Sequence, residues 1–193
     1  MNTDELKKVP FLDLYASRDG RIYFENKPLP IWKHPVNSDY LAIVFNQQWY
    51  FVHRLVYFAF NKEKTTPPFW TSVDHINREK KDNKESNLRI LSPTLQNLNR
   101  NCKGYYFCSR RKKFRGRVGY DGKKYHIGYY KSAEKVSFLY QYCKQAMFNY
   151  IYDYELKNLV KCPFDKKLFK SILNEAKKTF ETTIKPAVLN LLP

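Results

Sequence analysis

Residues 69–102 read FWTSVDHINREKKDNKESNLRILSPTLQNLNRNC. The apolar run Phe69–Val73 predicts a strand that delivers Asp74 and His75. A polar loop without glycine follows from Asn77 to Ser86, and Leu88–Leu91 predicts a second strand. Ser92-Pro93 then opens a helix, because Ser caps a helix N-terminus and Pro suits its first turn. That helix carries Gln96, Asn97, Asn99 and Arg100. The order strand, loop, strand, helix organises the reading of the whole chain.

Hydrolysis of a phosphodiester needs an activated water and a cation to stabilise charge on the phosphate and the leaving oxygen. Mg²⁺ accepts a site with one or two protein oxygen ligands, the rest being water and phosphate. A neutral histidine can act as the base near pH 7. One carboxylate, one amide or second oxygen ligand and one histidine therefore suffice. An adjacent Asp–His pair is by itself an ordinary surface or structural feature. Neighbours on a strand point to opposite sides. At a strand end, where the backbone turns into a loop, Asp74 and His75 could instead flank one phosphate.

The surrounding pattern sharpens this pair. Val73-Asp74-His75-Ile76-Asn77, Lys81–Arg89, Ser92-Pro93 and Gln96–Arg100 together resemble the HNH endonucleases of phages and group I introns, motif by motif. Val52-His53-Arg54-Leu55-Val56 and the strands before it are similar to the N-terminal part of that subgroup. The resemblance implies that His75 is the general base and Asp74 a metal ligand. It implies that Asn87 is the middle Asn, whose hydrogen bonds hold the loop and orient the base, and that Asn97 is the second metal ligand, with Mg²⁺ or Mn²⁺ as the ion. The offset from Asn87 to Asn97 is ten residues where the family pattern has nine, which leaves Asn99 as the alternative ligand. Asn77 and Asn83 read as loop residues, and His53, in an apolar stretch, as a core histidine.

Charge supplies a second signal. The chain holds 35 Lys+Arg against 18 Asp+Glu, and residues 100–135 alone carry 12 basic and 2 acidic side chains. Such a block is the footprint of a polyanionic partner. Aromatics interleave with it, which sets it apart from a disordered basic tail. Gly104–Phe107, Lys113–Tyr120 and Lys124–Tyr130 predict three strands, the last two joined by an Asp121-Gly122 hairpin turn. Ser132 caps a helix whose Val136, Leu139, Tyr140, Cys143, Ala146 and Met147 should cover the sheet. On Lys113–Tyr120, Phe114, Gly116, Val118 and Tyr120 share one face and Lys113, Arg115, Arg117 and Gly119 the other. In the third strand Lys124 and His126 share one parity, and Tyr125, Ile127 and Tyr129 the other. Gly104-Tyr105-Tyr106, Lys113-Phe114-Arg115, Gly122-Lys123-Lys124, Ile127–Tyr130 and Ala133-Glu134 make this unit similar to AP2-type DNA-binding domains. That resemblance implies DNA contacts by Tyr106, Arg110, Arg115, Arg117, Lys124 and His126.

Upstream, Asp19-Gly20 predicts a tight turn before a strand at Arg21–Phe24, with further strands at Leu41–Phe45 and Trp49–Val52 and a short buried helix over Val52–Phe60. Downstream, Leu168, Phe169, Ile172, Leu173, Ala176 and Phe180 form the stripe of an amphipathic helix, ended by Pro186, that packs on the domain. Cys102, Cys108, Cys143 and Cys162 form no C-x-x-C pair, so no structural zinc is expected and the cysteines read as reduced thiols. No apolar run is long enough to span a membrane, and the first thirty residues lack a secretion-signal core.

The expected fold class is α+β: a ββα-metal (HNH) nuclease module, then a small AP2-like three-stranded antiparallel sheet with its helix, then a C-terminal amphipathic helix. The expected domains are 1–102 (core motif 69–102), 103–150 and 151–193. The expected function is metal-dependent cleavage of double-stranded DNA at a recognised site by a homing-type or phage-encoded endonuclease. It would be a soluble cytoplasmic protein, monomer or homodimer, without membrane or small-molecule partners. The alternatives are a DNA-binding regulator that does not cut, and an RNA-binding protein.

Overall fold

A computed structural model describes residues 5–10, 12–37, 39–61 and 72–184. The chain is α+β and divides into two compact units, Met1–Leu91 and Ser92–Pro193. This boundary falls ahead of the expected one after residue 102.

The first unit holds two small antiparallel sheets, a helix and a hairpin. Strands β1 (Lys7–Lys8), β2 (Tyr15–Ala16), β3 (Ile22–Phe24) and β4 (Lys27–Pro28) pair in chain order. So do β5 (Trp32–Lys33), β6 (Leu41–Phe45) and β7 (Gln48–Phe51). Two hairpin turns have both central residues at positive φ, Glu25-Asn26 and Asn46-Gln47, the conformation that matches strand twist. Helix α1 (Val52–Asn61) begins where the last strand was expected to end. Ten residues are too few for a stable isolated helix. Burial of Val52, Leu55, Val56 and Ala59 along one face holds it, at roughly 1.5–3 kcal/mol for each large side chain. Around it lie Leu14, Ile22 and Ile43, all fully buried. Strands β8 (Ser72–His75) and β9 (Leu88–Leu91) then form an antiparallel hairpin. The expected strand began at Phe69; Phe69–Thr71, and the breaker at Thr65–Pro68, lie outside the described residues.

The second unit opens with α2 (Pro93–Asn99). Ser92 Oγ accepts from Leu95 N at 3.2 Å, and Pro93 sits in the first turn. Strands β10 (Tyr105–Cys108), β11 (Lys113–Tyr120) and β12 (Lys123–Tyr130) form one antiparallel sheet. Asp121 and Gly122 turn between the last two at positive φ, as the Asp-Gly pair predicts. Helix α3 (Ala133–Asn158), capped by Ser132 on Lys135 N at 2.9 Å, packs Val136, Leu139, Tyr140, Cys143, Met147 and Ile151 toward Val118, Tyr120, Tyr125 and Ile127. The approach is close at Gly116, where a Cβ would stand 2.6 Å from Val136 Cγ2. α3 is continuous across the expected boundary at 150, because Ile151 and Glu155 extend its buried stripe. Helix α4 (Lys166–Thr179), capped by Asp165, buries Phe169, Ile172, Leu173 and Ala176 and packs on α3 and β12. The tail helix thus packs on its own domain; Pro186 lies outside the described residues.

The pairing of β11 with β12 overturns one expectation. Arg117 pairs with His126, but Gly116 pairs with Gly128, so Ile127 is an extra residue and the register shifts. Past such a bulge the alternation reverses. Tyr129 pairs with Arg115 and so stands on the basic face, not with Tyr125 and Ile127. Gly128, at φ +132°, is the glycine within a strand that marks the irregularity.

Candidate functional site

In the β8–β9 hairpin Asp74 pairs with Arg89 and His75 with Leu88. Cross-strand partners share a face, so Asp74 and His75 point to opposite faces. The backbone leaves the ladder only after His75, where Ile76 N donates to Asn87 O at 2.8 Å. Within the ladder the two side chains are on opposite faces, so a phosphate flanked by both would have to meet the hairpin at the end where the ladder stops. Arg89 Nε and Nη2 both donate to Asp74 Oδ2, at 3.0 and 2.9 Å.

His75 is 3% exposed, and its Nε2 lies 3.1 Å from Asn83 Oδ1. An amide oxygen can only accept, so this contact requires the proton on Nε2 and leaves the lone pair on Nδ1. The amide in contact with the imidazole is thus that of Asn83, read from sequence as a loop residue.

Asn87 holds the loop. Its Oδ1 accepts from Asn77 N at 3.0 Å, and its Nδ2 donates to Asn77 Oδ1 at 3.0 Å and to Asp82 O at 2.7 Å. Asn77 Nδ2 in turn donates to Asp82 Oδ2 at 2.9 Å. The β2–β3 hairpin clamps the loop from outside. Glu85 N donates to Arg18 O at 2.8 Å, and Arg18 Nη1 reaches Glu85 Oε2 at 3.1 Å. Gly20 lies so close that a Cβ there would stand 3.0 Å from the Asn83 backbone.

His53 comes to this site from α1. Its ring centroid is 5.0 Å from that of His75, with Tyr40 at 5.1 Å and Phe51 at 5.5 Å on its other sides. Burial, reinforced by the neighbouring His75 and Arg54, pushes its imidazolium down to about 3, so the ring is neutral. Reading His53 as a core histidine describes its burial but not its neighbour. Only the fold brings a residue twenty-two positions upstream against His75.

Asn97 belongs to the second unit. It is exposed on α2, whereas Asn99 is half-buried. Among the described residues no three His, Cys, Asp or Glu side chains gather as a metal site. One carboxylate and one amide oxygen suit a hard cation that keeps most of its water. In the same unit, Tyr106, Arg117, Lys124 and His126 are exposed on the sheet, and Arg110 is exposed in the short 3₁₀ turn Ser109–Arg111. Arg115 is half-buried and tied down: Nη1 donates to Tyr106 Oη at 3.0 Å, and Nη2 lies 3.0 Å from His126 Nδ1. Its guanidinium also lies 5.5 Å from the Tyr129 ring centroid, and that of Arg111 lies 4.5 Å from it. Arg117 lies 5.9 Å from the Tyr106 ring centroid. The face is an array of guanidinium groups set against aromatic rings. Tyr129 and Arg111 are members that strand alternation alone did not identify.

No family model matches the chain, and no curated protein matches it. Among solved structures it is similar to the HNH homing endonuclease I-HmuI, in a structure concerned with that enzyme's DNA binding and cleavage. The likeness is 18% identity at a TM-score of 0.41, over 77% of this chain and 88% of that one. At that level it carries no weight for function. No helix among the described residues is long and apolar enough to cross a membrane.

Proposed function

We propose that this chain is a divalent-metal-dependent endonuclease of duplex DNA, of HNH type. The observation that carries the reading is the state of His75: a buried imidazole whose Nε2 is committed to Asn83 Oδ1, leaving Nδ1 as the proton acceptor. A neutral imidazole held in one tautomer is what a general base requires. In this reading His75 Nδ1 takes the proton of the attacking water, and Asn87 keeps the loop in the shape that places Asn83 against the base. Asp74 and Asn97 are the residues that would hold Mg²⁺ or Mn²⁺, which would supply charge stabilisation at the phosphate. The basic face of β10–β12 grips the duplex in the manner of an AP2-like module, through Tyr106, Arg110, Arg115, Arg117, Lys124 and His126. The homing-type or phage-encoded origin and the cytoplasmic site of action belong to the same proposal. One such site cuts one strand, so a double-strand break takes two chains or two events.

A second reading has an observation of its own. Asp74 is already engaged by Arg89 through two nitrogens, so a metal would have to share the carboxylate. A chain that keeps this pair and binds no cation is a DNA-binding regulator. Incubation of the protein with source genomic DNA in Mg²⁺ or Mn²⁺, followed by mapping of ends, decides between them. The nuclease reading expects ends at a discrete sequence, in one strand or both. Intact DNA in either metal, with binding retained, leaves the regulator.

The double substitution Arg115→Ala, Arg117→Ala is expected to weaken duplex binding and to flatten its log–log salt dependence by roughly 1 per arginine removed from a phosphate. A titration across ionic strengths reads both. Unchanged affinity and slope would remove this face from the interface.

A further inference from the structure

Among the described residues of the first unit, one buried side-chain polar atom lacks a hydrogen-bond partner, and it is His53 Nδ1. The residue is 6% exposed. Leaving such an atom unpaired costs about 1–3 kcal/mol, and buried polar groups are overwhelmingly paired. A histidine whose task was only to fill space between Tyr40, Phe51 and His75 would be outperformed by phenylalanine, which carries no unpaired nitrogen. The orphan atom is on the ring packed 5.0 Å from the imidazole whose other contact, Asn83, fixes it as a base. An unpaired polar atom and a proton acceptor thus occupy the same aromatic enclosure. This coincidence has a chemical explanation if the missing partner arrives with the substrate.

We infer that His53 is a further residue of the hydrolytic centre, its Nδ1 making a hydrogen bond to the water or phosphate oxygen on which His75 acts. The inference rests on the nuclease reading above. His53 takes up no proton in the reaction; it holds an oxygen through one hydrogen bond, and proton transfer stays with His75. The bond would be made as the water attacks the phosphorus rather than as DNA docks, so it bears on kcat and not on KM.

Two variants test it on the full chain with a duplex bearing the mapped cleavage site and Mg²⁺. His53→Phe keeps an aromatic ring in place and removes both nitrogens. His53→Asn loses the ring and keeps a polar atom where Nδ1 stood. The phenylalanine variant is expected to match or exceed the wild-type Tm and to keep its KM, with kcat reduced about ten-fold or more, the loss of a substantial hydrogen bond. The asparagine variant is expected to melt lower and yet to cleave several-fold faster than the phenylalanine variant. Each folded variant decides alone: wild-type kcat in His53→Phe overturns the inference, and so does an asparagine variant as slow as His75→Ala. Wild-type protein that cuts no DNA in Mg²⁺ or Mn²⁺ overturns the nuclease reading and the inference together. Wild-type cutting that survives His75→Ala overturns the base assignment, and cutting by His53→Phe at full rate overturns the role of His53 alone.

Discussion

Replacement of His75 by alanine is expected to lower the cleavage rate by about 10²–10⁴-fold, the range for loss of a general base. Duplex affinity is expected to stay nearly constant, because the proposed grip is assigned to the basic face of the other unit. The reasoning runs through Asn83. In the neutral ring whose Nε2 donates to the Asn83 amide oxygen, a water presented to His75 meets the lone pair of Nδ1 and not a second N–H. Truncation removes that acceptor outright. It also empties space beside His53 and leaves Asn83 Oδ1 unpaired, which lowers stability. Rates are therefore compared at a temperature where melting curves show both proteins folded. A folded His75→Ala protein that cuts like wild type would remove His75 from the chemistry. Loss of binding and cutting together would place the residue in the scaffold.

Glu155→Ala is expected to destabilise the second unit by about 3–5 kcal/mol, a fall in Tm of roughly 15 °C or more for a domain of this size. Glu155 has no exposed surface. Its Oε1 accepts from Tyr120 Oη at 3.1 Å and from Cys162 N at 3.2 Å, and Ser92 Oγ lies 3.4 Å from Oε2. The carboxylate thus ties β11, the start of α2 and the chain beyond α3 to one point. Burial and this carboxylate push the Tyr120 phenol well above its ordinary pKa, so it remains a donor throughout the working range of pH. With alanine, three polar groups lose a buried partner at once. Glu155→Gln keeps an acceptor oxygen and is expected to recover part of the loss. Thermal denaturation of both variants checks this, and a change under about 1 kcal/mol in the alanine variant would show that the carboxylate is not the clamp. The sheet proposed to bind DNA depends on α3 for its buried face, so DNA affinity is expected to fall on warming in step with the melt.

Much of the fold was legible where interactions are short in range. Asp121-Gly122 sets its own turn, Ser92 caps a helix three residues away, and alternation along β11 assigned Gly116, Val118 and Tyr120 to the buried face correctly. Structure and local pattern part where a residue interrupts the pattern. Strict alternation through β12 predicts Tyr129 on the buried face, but the irregularity at Gly128 turns it to the basic one. α3 runs past the expected boundary because its later buried stripe includes Glu155, a carboxylate that no apolar template anticipates; its pairing with Tyr120, Cys162 N and Ser92 makes burial tolerable.

The candidate site divides in the same way. The residue types that the proposed hydrolysis needs, Asp74, His75, Asn87 and Asn97, can be nominated from sequence alone, because their kinds and spacing are a property of the chain. Which amide faces the imidazole cannot. Asn83 and Asn87 stand in one polar loop, and either could reach His75 from its position in the chain. The choice is made by distant contacts: Arg18 against Glu85, Gly20 beneath Asn83, and the Asn77–Asn87 amide pair that consumes the second candidate. His53 likewise was recognisable as buried, and its place beside His75 follows only from the packing of α1 against the hairpin. Hydrogen bonds and ring contacts between residues far apart in the chain depend on the path of everything between them. Local sequence therefore determined the elements and the residues that could carry the proposed chemistry, and tertiary structure alone decided which nitrogen of His75 meets Asn83.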